Sequence, residues 1–75
     1  MSWNYRIVRY RNPEDGYGLH EVFYDDNQRV VTITETPARF ACLPNKGPGG
    51  VIKYLEMALK DARERDILEA PDWFT

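Results

Sequence analysis

The chain is 75 residues long, with 43% hydrophobic and 29% charged residues, a net charge of −2 and one cysteine. These values exclude an intramolecular disulfide and a cysteine-cluster zinc site, and they count against nucleic acid as a partner, because that affinity is largely electrostatic. For 8.8 kDa, size scaling gives about 4,800 Å² of folded surface and about 60% burial, a thin core for which a partner chain is the remaining source of help.

Charge is evenly spread: residues 1–40 and residues 41–75 each carry five basic and six acidic side chains. Met1-Ser2-Trp3-Asn4-Tyr5 lacks a basic start and an apolar run, and no apolar stretch reaches bilayer-spanning length. The expected compartment is the cytoplasm, without a membrane partner.

Period-two alternation over Trp3 to Arg11 predicts a first strand, with Trp3, Tyr5 and Ile7 on one side and Val8 and Tyr10 on the other. Asn12 to Gly18 holds a proline and two glycines and reads as a loop. Leu19 to Tyr24 and Arg29 to Thr34 follow as second and third strands. Between them, a three-residue loop Asp26-Asn27-Gln28 sets Asp25 opposite Arg29 and Phe23 opposite Val31, with Gln28 in a left-handed conformation. A two-residue loop, Asn27-Gln28, is the alternative. Pro37 ends the third strand, and Ala38 to Leu43 is a candidate fourth, edge strand.

Pro44 to Gly50 is the richest stretch of breakers and reads as a flexible loop. Val51, Ile52, Leu55, Ala58, Leu59 and Ala62 then form one apolar stripe at helical spacing, predicting a helix over 51–66. Glu56 with Lys60 and Asp61 with Arg65 are favourable i, i+4 pairs. Residues 67–75 form an apolar tail containing Trp73 and Phe74. The expected fold is one α+β domain over 1–75: a three-stranded antiparallel meander within 3–43, extended to four strands if Ala38 to Leu43 pairs, with one C-terminal helix packed on one face.

Chemistry-bearing residues are sparse. His20 is the only histidine, and Cys42 the only thiol; their plain readings are a partly exposed strand histidine and a small buried hydrophobe. Gly47-Pro48-Gly49-Gly50 leads into a helix but lacks the Lys-Ser or Lys-Thr of a phosphate loop. No catalytic residue, metal ligand or cofactor site is therefore assigned, and no enzyme is expected. Arg6, Arg9 and Arg11 interleave with Trp3, Tyr5 and Tyr10 and are the candidate nucleic-acid contacts of an alternative reading. Both sheet faces are apolar, so Val8, Tyr10, Val22, Tyr24 and Val30, with Trp73 and Phe74, form a candidate interaction surface, covered by the tail or by a protein partner, a second copy included.

The pattern Trp3-x-Tyr5-Arg6-Ile7-Val8-Arg9, Leu19-His20-Glu21-Val22-x-Tyr24-Asp25, Thr34-Glu35-x-Pro37, then Leu55, Ala58 and Asp61 resembles a group of short bacterial proteins that carry no assigned function. The resemblance covers most of the chain and implies no activity. Gln28 stands where that pattern has a turn glycine, and Pro48-Gly49-Gly50 where acidic residues lead into the helix. Strand-strand-strand-helix order is also similar to HicB-type antitoxins, without their Phe-Pro-Asp signature, and shows that such a scaffold can serve as an inhibitor or adaptor. The expected role is a non-enzymatic protein-binding or self-associating module, with a nucleic-acid-binding or antitoxin-like regulator as the alternative.

Overall fold

Side-chain alternation in the first half of the chain produces three strands in the computed structural model, which describes residues 2–74. β1 (Ser2–Arg9), β2 (Tyr17–Tyr24) and β3 (Val30–Ile33) pair antiparallel in succession. A single helix, α1 (Gly47–Glu64), then carries the chain back, so that β4 (Leu68–Glu69) runs parallel to β1. The fold is α+β, but the sheet is mixed, in the order β3-β2-β1-β4, rather than a purely antiparallel meander. Met1 and Thr75, the ends of the expected domain and tail, lie outside the described residues.

The loops explain the strand ends. A 3-10 turn at Pro13–Asp15 is capped by Asn12, whose Oδ1 accepts from the Glu14 amide at 3.1 Å, and Gly16 takes φ 74°. The loop closes there, so Tyr17 and Gly18 join β2. In the second hairpin the Asp25 amide donates to the Arg29 carbonyl at 2.9 Å, and Gln28 donates to the Asp25 carbonyl at 3.0 Å. This is the three-residue loop, with Gln28 at φ 63°. The strain of a non-glycine residue there is met by Asp25 Oδ1, which accepts from the Asn27 and Arg29 amides at 2.8 and 3.0 Å. The expected facing of Phe23 and Val31 does not occur. A bulge shifts the register so that Phe23 faces Thr32 and Tyr24 faces Val30, leaving Val31 exposed.

Ala38 to Leu43 adds no strand. Ala38 donates to the Leu19 carbonyl at 2.7 Å, but Pro37 offers no N–H to continue a ladder, and Phe40 turns onto the Tyr5 ring with centroids 5.9 Å apart. The breaker-rich segment is also ordered differently from expectation. Pro44–Lys46 is a 3-10 turn, and α1 starts at Gly47, because Pro48 occupies a first-turn position where a missing N–H costs nothing. The helix ends at Glu64 rather than residue 66, where Arg65 turns extended.

The two sheet faces are closed by different elements. On one, Tyr5 and Ala58 are buried between β1 and α1, and the Tyr5 amide donates to Asp61 Oδ2 at 3.1 Å. The Asp61 carboxylate thus satisfies an edge group of β1 that β4 does not reach, and its Oδ1 lies 3.8 Å from Arg65. On the other face Val8, Val22, Tyr24, Ile33 and Phe74 form the core, with Tyr10, Val30, Leu68 and Ala70 packed against it.

Phe74 is 7% exposed and its neighbour Trp73 is 56% exposed. Replacement of Phe74 by alanine is expected to cost about 3 kcal/mol in urea unfolding, and replacement of Trp73 less than about 1 kcal/mol. Similar losses at both positions would contradict this packing. Burial, with the charges of Glu21 and Asp61 nearby, pushes the Tyr5 phenol above its ordinary 10.0. The phenol is neutral in both states at lower pH; above 10.0 the unfolded chain ionises first, so stability falls as pH rises. Tyr5→Phe should therefore show a shallower alkaline loss of stability than the parent chain.

Candidate functional site

His20 is the chain's one imidazole, and it is fully buried rather than partly exposed. Its position follows from register: Arg6 faces His20 and Val8 faces Gly18 across β1 and β2, which places His20 on the core face beside Tyr10. Nδ1 lies 2.8 Å from the Thr34 carbonyl, which only accepts, so Nδ1 carries the proton. In the neutral ring Nε2 is then the acceptor, and the Tyr10 hydroxyl donates to it at 2.6 Å. Phe74 completes the enclosure, edge-on to the imidazole at 5.3 Å and stacked with Tyr10 at 6.3 Å.

Gly18 makes this centre possible. A Cβ there would collide with the Tyr10 hydroxyl and lie 2.8 Å from its Cζ. The absence of a side chain opposite Val8 is what lets the Tyr10 ring cross the strand to His20. Outside the enclosure lies an open hollow of about 610 Å³ between Tyr10, Arg11, Asp15, Glu35 and Phe74. The imidazole sits behind Tyr10 and Phe74, with both nitrogens engaged. In its resting geometry the group is a hydrogen-bonded core residue and not a base presented to a substrate.

The candidate nucleic-acid residues are brought together for another purpose. Arg6 donates from Nε and Nη2 to the Asp66 carbonyl at 3.1 and 2.9 Å, Arg9 pairs with Glu69 at 2.8 Å, and Arg11 lies 3.7 Å from Asp72 and donates to its carbonyl at 3.3 Å. Three arginines on and just beyond β1 thus meet successive positions of the C-terminal segment. Arg9 also lies over the Tyr17 ring, 5.5 Å from its centroid. Cys42 does not approach His20; its thiol donates to the Gly47 carbonyl at 3.2 Å, and a Cβ on Gly50 would come within 2.7 Å of its sulfur. Among the described residues no group of three or more His, Cys, Asp or Glu converges as metal ligands. Among the described residues no helix is long and apolar enough to cross a membrane.

The interaction surface expected from the sequence is closed by the chain itself. Val8 and Val22 are fully buried, Tyr24 nearly so, Tyr10 and Val30 pack against them, and Phe74 is the cover. Trp73 alone of that set stands outside. The open apolar surface lies instead on α1, where Ile52, Leu55 and Leu59, expected to be core, are 56%, 46% and 53% exposed. A helical wheel shows the signal: apolar side chains from Tyr54 round to Ile52 span roughly 160° of the helix, wider than the one seam that β1 offers. Ala58, with Tyr54 and Val51 half-buried, takes the sheet side of that arc, and the other side is uncovered.

No protein-family model, curated protein or solved structure matches the chain.

Replacement of Tyr10 by phenylalanine removes the donor to a buried nitrogen and should cost about 1–3 kcal/mol. With the imidazole neutral, a nitrogen-detected NMR spectrum of the parent chain should show the Nδ1–H tautomer of His20; the Nε2–H tautomer would contradict the assigned hydrogen bonds.

Proposed function

We propose that this chain is a small non-enzymatic interaction module that associates with a second copy of itself through the outward face of α1. The observation that carries the reading is surplus surface. The chain exposes 5729 Å², about 900 Å² more than size scaling allows for a compact monomer of this mass. Its radius of gyration is 13.2 Å, against about 11.4 Å for a compact chain of this length. One partner in a standard-size interface buries about 800 Å². The surplus therefore has the size of one side of a dimer contact.

Its chemistry also fits. Ile52, Leu55 and Leu59 occupy one stripe at i, i+3 and i+7, and Met57, Leu43, Ile67 and Trp3 are further exposed apolar side chains. Unpartnered, such a stripe keeps apolar area in water at a cost of about 25 cal/mol per Å². Association recovers it, less the loss of translational and rotational freedom, so a contact resting on three aliphatic side chains is reversible rather than obligate. The nucleic-acid alternative loses support, because Arg6, Arg9 and Arg11 are engaged with the C-terminal segment.

In sedimentation equilibrium the parent chain should shift from its 8.8 kDa monomer toward a dimer as concentration rises through the micromolar range. Leu59→Glu should remain monomeric with an unchanged circular dichroism spectrum. A parent chain that stays monomeric to millimolar concentration would remove the reading.

A further inference from the structure

We infer that the hollow of about 610 Å³ outside Tyr10 and Phe74 is a binding site for a small organic cation, an amidinium or guanidinium group carried on a flat apolar body. It lies on the sheet face away from α1, so the inference does not rest on self-association. Three segments distant in sequence build it: Tyr10 to Asp15 after β1, Glu35 after β3, and Ala70 to Phe74 at the end of the chain. Its size falls within the range of small-molecule sites, about 300–1,000 Å³.

Floor and rim differ in chemistry. Phe74 is buried, Tyr10 and Ala70 are half-buried, and the Tyr10 hydroxyl is already engaged with His20 Nε2 at 2.6 Å. The floor therefore offers two aromatic rings and a methyl group, and an apolar body laid against it removes apolar area from water on both sides. Asp15 and Glu35 stand at the rim, both exposed. Among the described residues neither carboxylate has an ion pair or a hydrogen-bond donor.

The rim sets the sign of the ligand. Arg11, the one cation lining the hollow, donates to the Asp72 carbonyl at 3.3 Å and lies 3.7 Å from its carboxylate. Its charge is offset there, and the rim is left net negative. Two other hollows carry both signs together: Arg6 and Arg65 with Glu64 and Asp66 in one, and Glu21 with Arg39 in another. Those are balanced within themselves. A planar amidinium suits the unbalanced rim because its N–H groups meet a carboxylate in parallel pairs. A bare cation forgoes the floor, and a neutral ring forgoes the rim, so the fitting ligand has both parts.

The probe is benzamidine, with neutral benzamide and anionic benzoate as controls of the same shape, read by NMR on the Tyr10 and Phe74 rings. Benzamidine should shift both rings saturably, with half-occupancy at about 1 mM. Benzamide should bind about tenfold more weakly, and benzoate should leave the rings unmoved. Asp15→Asn and Glu35→Gln keep the shape of exposed side chains; each should weaken benzamidine about threefold, and the double variant about tenfold, with unchanged circular dichroism. Leu59→Glu, on the opposite side of the sheet, should bind like the parent. Equal binding of benzamide and benzamidine, a double variant that binds like the parent, or no saturation by about 20 mM overturns the site. A chain that binds benzamidine as described but never dimerises overturns only the self-association reading.

Discussion

The structure depends on Phe74 reaching back over His20 and Tyr10. A buried imidazole is tolerated only when both nitrogens are satisfied and water is kept away from a partial arrangement. Here the Thr34 carbonyl and the Tyr10 hydroxyl satisfy the ring, and Phe74 seals it. Because Phe74 lies at the far end of the chain, everything between the sheet and that residue must deliver it to the right place. The crossover helix, the two-residue β4 and the three arginine contacts are that delivery.

This requirement sets where α1 lies. The helix must return the chain to the free edge of β1, so it packs along β1, anchored by Asp61 on the Tyr5 amide, and not across the middle of the sheet. One seam covers only part of its apolar arc. The exposed stripe at Ile52, Leu55 and Leu59 is thus a consequence of closing the opposite face with the tail: a helix placed centrally would bury the stripe but could not lead into a parallel strand beside β1.

Much of this was legible from residue pattern. The first three strands, the single helix, the three-residue loop and the left-handed Gln28 follow from alternation, periodicity and turn chemistry. β4 was not, because two residues, Leu68 and Glu69, carry no detectable period, and they pair with Val8 and Arg9 sixty positions away. The bulge at Val31, which leaves Phe23 opposite Thr32 and Tyr24 opposite Val30, escaped as well, because no local glycine marks it. The burial of His20 required knowing that Gly18 lets the Tyr10 ring cross β2. Helix spacing identified the apolar stripe correctly and its surroundings wrongly, since periodicity gives the width of an apolar face but not how much of it a neighbour covers.

The difference between the two apolar surfaces is one of tethering. Phe74 is joined to α1 by nine residues, and β4 and Arg11 hold the segment along β1, so its contact with the sheet face is intramolecular, at an effective concentration of about the millimolar range that a free partner does not match. That face is filled by the chain's own residues before a second molecule competes for it. Among the described residues no segment covers the outer face of α1, and the residues that follow Glu64 are held along β1 by Arg6, Arg9 and Arg11. The same contacts that close the core therefore determine which apolar surface is left exposed.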